Sequence, residues 1–245
     1  MNDIKYSTEN EKQLICALQR EVDALENGWI GNQTLVDLAV KLGVDCWPLT
    51  LKIYGYPVIV AKDFIPFNPG CKPLTGYANS MLGSFTYPRA VTPCSILVNN
   101  GEVIHGSSCH AFNNKPESVI YKLKDGTVGV KRVTYSSELP KNADKAVGGF
   151  GLLGNYSPIA EGFTGAYSDV TRNTAHNAIA YKNGMWYGIY FGGMTAQAVN
   201  TLCANKFKFE YAIMLDGGGL AAMNGGENFA RINTKTKQGY AIQFI

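Results

Sequence analysis

The residues best suited to chemistry lie near the C-terminal end of the chain, where the apolar run Ile213-Met214-Leu215 delivers Asp216 directly onto Gly217, Gly218 and Gly219. A carboxylate in such a place can serve as an anion beside developing positive charge, as a nucleophile or as a base. Glycines tolerate positive φ and let a ligand come up against bare backbone, and their N–H groups can form a concave turn that suits an oxyanion. The plainer alternative is a strand ending in a tight turn, with Asp216 bonding its neighbours' N–H groups. Three adjacent glycines each lose up to ~1 kcal/mol relative to alanine in regular structure, more than a turn alone requires, so a functional reason is favoured. Other chemistries lack their signatures: there is no serine nucleophile elbow and no Gly-Lys-Ser/Thr phosphate loop. The six cysteines (Cys16, Cys46, Cys71, Cys94, Cys109 and Cys203) form no Cys-x-x-Cys pair, which argues against zinc and a disulfide framework and for reduced thiols. No metal and no cofactor is expected.

A chain of 245 residues, 46% apolar and 17% charged, can bury a large core, and its 27 glycines, 14 tyrosines and 11 phenylalanines point to many strands and turns. A net charge of +3 without any basic run excludes a surface that tracks a nucleic acid polymer. No apolar stretch approaches the ~20 residues of a membrane span, so no membrane is expected as a partner. The start Met1-Asn2-Asp3-Ile4-Lys5 lacks the pattern of a signal peptide, so the expected location is cytoplasmic, with release by lysis as another route.

Two units are expected to position the chemistry. In residues 1–45, Leu14, Leu18, Val22 and Leu25 recur at helical spacing until Asn27-Gly28. Asn32 then caps a second helix whose buried stripe is Leu35, Leu38, Ala39 and Leu42. From residue 46 to 245 the period changes to two. Strand signals include Ile53 to Val60, with Pro57 at an edge or strand end, and Gly148-Gly149-Phe150-Gly151. Turns are expected at Asn99-Asn100-Gly101, Asp125-Gly126 and Asn183-Gly184. Thr195 reads as the N-cap of a helix leading into the strand before Asp216, and Tyr240 to Ile245 is the last strand. The expected class is α+β, with mixed, mostly hairpin-connected sheets, few helices and a small N-terminal helical unit.

The N-terminal pattern Leu18-Gln19, Gly28-Trp29-Ile30-Gly31 and Gln33-Thr34-Leu35 resembles the small helical peptidoglycan-binding repeat; a simple helical packing arm is the alternative. Further on, Gly83-Ser84-Phe85, Pro93 to Gly101, Asp125-Gly126, Ala178-Ile179 with Asn183-Gly184, Gly193-x-Thr195 and Leu215-Asp216-Gly217-Gly218-Gly219 follow in an order that resembles the phosphodiester glycosidase family over roughly residues 75 to 245. That family includes the uncovering enzyme, which removes N-acetylglucosamine from a sugar phosphodiester. Leu82 and His176 stand where the family usually carries Asn and Arg.

The resemblance implies a hydrolase that cleaves a glycosyl phosphodiester, in a phage or bacterial cell-wall setting, with the N-terminal unit contacting a wall polymer. Breaking a sugar C1–O–P linkage builds oxocarbenium character at C1 and negative charge on the departing phosphate. Asp216 is then the catalytic anion, and Gly217, Gly218 and Gly219 offer N–H donors. His176 and Arg172 recognise phosphate, His176 also acting as proton donor. Ser84 and Arg89 are further substrate-binding candidates, each with a plain reading as a turn or solvated residue. Lys235 and Lys237 could add positive potential, although a lysine pair is usually a solvated face. Trp29, Trp47 and Trp186 are either structural or stacking surfaces for a sugar. Two alternatives stay open: a non-catalytic module binding a phosphorylated sugar or nucleotide, favoured by Leu82 and His176, and an enzyme acting on a nucleotide signal, as a phage counter-defence protein would.

Overall fold

The computed structural model describes residues 4–5, 16, 19–20, 29–70, 72–83, 92–109, 114–154, 161, 172–225 and 239–245. Strands dominate, and every strand pairing among the described residues is antiparallel. In chain order they are β1 (Ile4–Lys5), β2 (Trp29–Ile30), β3 (Leu49–Ile53), β4 (Tyr56–Ala61), β5 (Phe64–Phe67), β6 (Ser80–Leu82), β7 (Leu97–Asn99) and β8 (Glu102–His105). There follow β9 (Glu117–Leu123), β10 (Val128–Val133), β11 (Ala143–Gly151), β12 (Thr174–Lys182), β13 (Met185–Met194), β14 (Tyr211–Gly217), β15 (Met223–Asn224) and β16 (Ala241–Phe244). Among the described residues two short α-helices have defined bounds, α1 (Asn32–Lys41) and α2 (Ala196–Leu202), α2 running on into a π turn at Cys203–Phe207.

The large sheet runs β10-β9-β11-β14-β12-β13-β4-β3, with the β7–β8 hairpin joined to β11, and a second sheet runs β15-β6-β16-β5. Alternation along the central strands explains the layering, since successive residues face opposite sides of a sheet. Ala212 and Met214 of β14, with Ala178 and Ala180 of β12, face a core built with Val36 of α1 and Ala196, Val199, Cys203 and Phe207 of the α2 region. Ile213, Leu215 and Ile179 face the other way, onto Phe64, Met81, Met223, Ile242 and Phe244 of the smaller sheet. Gly188 permits that second contact: a Cβ there would lie 2.5 Å from the Phe244 ring. The sheets are also pinned electrostatically, because Asp63, just before β5, accepts from Lys145 of β11 at 2.7 Å and pairs with Lys122 of β9 at 3.0 Å. Burial raises the Asp63 carboxyl, but the two ammonium groups and the Phe64 N–H together outweigh it and leave the group below its ordinary value.

This architecture corrects the expected α+β class. The described residues are predominantly antiparallel β with little helix, and those of the N-terminal part form no distinct helical unit. Instead β1 pairs with β2 as a two-residue ribbon, while α1 is carried on the main sheet, Val36 inserting into the main core. Much of the expected first helix lies outside the described residues; Cys16, Gln19 and Arg20 are helical, and Gln19 reaches Thr34 of α1 at 3.4 Å. The expected leucine stripe of α1 is also wrong: Gln33, Thr34, Val36 and Asp37 are buried, Leu42 is 74% exposed, and Gly31, not Asn32, is the N-cap. Asn32 instead donates to the Lys52 carbonyl at 2.7 Å, tying the start of α1 to β3.

Candidate functional site

The site is set by two neighbouring strands. Along β12 and β14 the pairing runs regularly from Tyr181 opposite Tyr211 to Ala178 opposite Met214, then shifts so that His176 faces Gly217. Such a shift re-aims a side chain: fully buried Asn177 donates from one amide nitrogen to the carbonyls of Leu82 at 3.0 Å and Ala222 at 3.1 Å. The smaller sheet is thereby fastened beside the glycine turn. Leu82 is itself fully buried, so it presents no side chain to a ligand.

Asp216 is half-buried at the end of β14. Its Oδ1 accepts the Gly217 N–H at 2.8 Å, so that donor, expected to face an oxyanion, is engaged by the carboxylate itself. Gly218 has φ +62, a left-handed value that favours glycine. A Cβ on Gly218 would stand 3.6 Å from an Arg172 guanidinium nitrogen and 3.7 Å from the Thr174 hydroxyl. Exposed Arg172 therefore lies over the bare turn that follows Asp216. Residues more than forty positions apart in sequence meet here because β12 starts where β14 ends.

His176 lies beneath this turn, 1% exposed. Its Nε2 bonds the Met194 carbonyl at 2.9 Å; a carbonyl only accepts, so Nε2 carries the hydrogen. Burial lowers the pKa of the ring, against smaller opposing effects from the Met194 and Arg172 backbone. His176 is thus a neutral imidazole at pH 7, with Nδ1 an acceptor that completes no hydrogen bond in its buried position. The Arg172 backbone is its near polar neighbour. The covered ring is neutral, whereas the Arg172 side chain nearby is exposed and cationic.

Two buried acids that no sequence motif marks, Glu117 and Glu161, are seated against β11. Glu117 of β9, fully buried, accepts from the Ser95 hydroxyl at 2.8 Å and from the backbone N–H groups of Ile96 at 2.7 Å and Cys109 at 3.2 Å. Burial pushes its pKa up to about 8 despite these donors. Glu161, 1% exposed, accepts from Ser118 at 2.6 Å, Arg132 at 2.8 Å and the Gly151 N–H at 2.9 Å. The glycines of β11 house both acids: a Cβ on Gly148 would lie 2.1 Å from Glu117 Oε1, and one on Gly151 2.9 Å from Glu161 Oε1. That glycine pattern was the available signal.

Ser84, Arg89, His110, Lys235 and Lys237 lie outside the described residues. His105 accompanies the β7–β8 hairpin, its Nδ1 3.1 Å from the Ser95 carbonyl oxygen. Trp186 packs edge-on to Phe64 at 4.5 Å and is buried, so it offers no sugar platform. Among the described residues no three His, Cys, Asp or Glu side chains gather as a metal site, and no helix is long and apolar enough to cross a membrane.

The fold is similar to that of the zebrafish N-acetylglucosamine-1-phosphodiester alpha-N-acetylglucosaminidase catalytic domain auto-inhibited by its pro-peptide, with a TM-score of 0.59 and 14% identity over 81% of each chain. It is also similar to a hypothetical protein from Synechocystis, with a TM-score of 0.51 and 11% identity over 80% of this chain and 61% of that one. No family profile matches the chain, and no curated protein matches it in sequence. The likeness is one of fold, shared with a hydrolase catalytic domain.

Proposed function

We propose that this protein is a hydrolase of glycosyl phosphodiesters, with Asp216 as the anion that supports C1 and Arg172 as the cation that takes the phosphate. The observation that carries the reading is the convergence of a half-buried carboxylate, a glycine turn without side chains and an exposed guanidinium at the adjoining ends of β12 and β14. The similarity in fold to a catalytic domain named for N-acetylglucosamine-1-phosphodiester supports it.

The chemistry is suited to this set of groups. A departing phosphate is stable as an anion and needs little protonation, so a second carboxylic acid acting on the leaving group is dispensable. Positive charge growing at the sugar C1 is met by Asp216, and negative charge growing on the phosphate by the Arg172 fork, which matches phosphate geometry. Bare backbone at Gly218 and Gly219 leaves room for the sugar-phosphate between them. His176 acts from below as a positioning residue, keeping the Gly217 strand end in register.

A second reading, a non-catalytic module for a phosphorylated sugar or nucleotide, is favoured by the apolar, fully buried Leu82 at the position where the resembling family usually has Asn. Incubating the purified protein with an N-acetylglucosamine phosphodiester and with nucleotide ribose phosphodiesters, and following free sugar and phosphate monoester by mass spectrometry, separates the two. Release of both products supports the hydrolase; tight binding of the intact diesters without product supports the module.

A further inference from the structure

The β7–β8 hairpin brings two thiols together at its open end. Cys94 precedes β7 and Cys109 follows β8, fifteen positions apart, and their Sγ atoms lie 3.4 Å from each other. Both are half-buried free thiols. Their backbones hang on one anchor: Glu117 Oε1 holds Ser95 and Ile96, next to Cys94, and Glu117 Oε2 holds the Cys109 N–H. The hairpin register, Leu97 opposite His105, and the bond between His105 Nδ1 and the Ser95 carbonyl keep the two segments facing.

We propose that Cys94 and Cys109 form a redox-active dithiol that a low-molecular-weight disulfide converts into an intramolecular disulfide at the open end of the β7–β8 hairpin. Closing the bond requires the sulfurs to approach from 3.4 Å to about 2.05 Å. One protein thiolate attacks a sulfur of glutathione disulfide, forming a mixed disulfide and expelling one glutathione thiolate. The other protein thiolate then attacks the protein sulfur of that mixed disulfide, closing the ring and expelling the second glutathione. The cysteine pair loses two electrons, the oxidant gains two, and the two thiol protons end on the two glutathiones.

The electrostatics favour persistence of the link once it is made. The Cys109 thiol is pushed well above its ordinary value by its contact with Cys94, then by burial, then by the charges of Glu117 and Asp216. Strongly oxidising dithiols owe their character to a stabilised thiolate in the reduced form. At Cys109 the thiolate is disfavoured, so the reduced form has no such advantage.

The test is independent of any catalytic activity, so its failure is distinct from a failure of the hydrolase reading. The full-length protein is equilibrated with an excess of glutathione disulfide, trapped with iodoacetamide, digested and mapped by mass. The expected result is a linked pair of peptides carrying Cys94 and Cys109, reversed by dithiothreitol, and a Tm raised by roughly 6 to 12 °C for a loop of this length. Cys94→Ser should abolish both the link and the Tm rise. Alkylation of both cysteines after this treatment, or pairing of either with another cysteine, would overturn the proposal.

Discussion

Gly217 stands opposite His176 in the β12–β14 ladder, and a Cβ on Gly217 would lie 2.7 Å from the Ala175 carbonyl oxygen and 3.0 Å from His176 Nδ1. The strand end that carries Asp216 therefore rests on backbone and imidazole with no space between them. Gly217→Ala should force β14 away from β12, costing ~1–3 kcal/mol of stability and displacing Asp216. Gly219, with nothing within 4 Å of a Cβ position, provides the contrast. Gly219→Ala should melt within about a degree of the parent, a comparison that thermal denaturation of the two variants makes directly.

The buried His176 ring predicts a tautomer and a pH response. Carbon-detected or long-range nitrogen NMR should find hydrogen on Nε2 and none on Nδ1 at pH 7. Since the folded pKa lies below the ordinary 6.5, the unfolded chain binds the proton more readily. The contribution of His176 to stability is thus present above about pH 6.5 and lost as pH falls through the lowered folded value. Urea titrations should show this acid loss in the parent and its absence in His176→Ala, which should be less stable at pH 7 through the lost bond and cavity.

Glu117 should act in the opposite sense. Its pKa rises from 4.5 to about 8 on folding, so the native state holds the proton over a window in which the unfolded chain releases it. Stability from this group is full below about pH 4.5 and declines as pH rises towards 8, with a slope of up to ~1.4 kcal/mol per pH unit. Glu117→Gln should flatten the curve between pH 5 and 8 relative to the parent. Parallel slopes for the two proteins would contradict a proton held there.

Parts of this molecule were open to reading because local physics alone decided them. Asn100-Gly101 and Asn183-Gly184 turn the chain with positive φ at both residues, and Thr195 caps its helix by accepting from the Ala198 N–H at 3.2 Å. Asp216 ends a buried strand because the run before it alternates between two cores. The turn at Tyr54-Gly55 was hidden: Tyr54 takes φ 50, rare for an aromatic residue, and is held by packing its ring 5.1 Å from Phe207, far away in sequence. So Ile53 to Val60 read as one strand where there are two, and Pro57 fits within β4 because it pairs with edge strand β3 outside the β13 ladder. The buried face of α1 was misread for a related reason. Gln33 bonds Asp37 at 2.8 Å, a polar pairing that lets polar residues face the sheet. The bulge at His176 and the housing of Glu117 and Glu161 by β11 glycines depend on cross-strand register, which no single segment encodes.

The most direct test of the hydrolase account is turnover of an N-acetylglucosamine phosphodiester by the parent, Asp216→Asn and Arg172→Ala, alongside calorimetric binding of the same diester. A neutral amide of nearly the same shape cannot attack C1 or support positive charge there, so Asp216→Asn should lose most turnover, by ~10²-fold or more, while still binding the diester. Arg172→Ala should instead weaken binding by ~1.5–3 kcal/mol, the value of a charge-assisted hydrogen bond. Turnover by Asp216→Asn at the parent's rate would contradict the account.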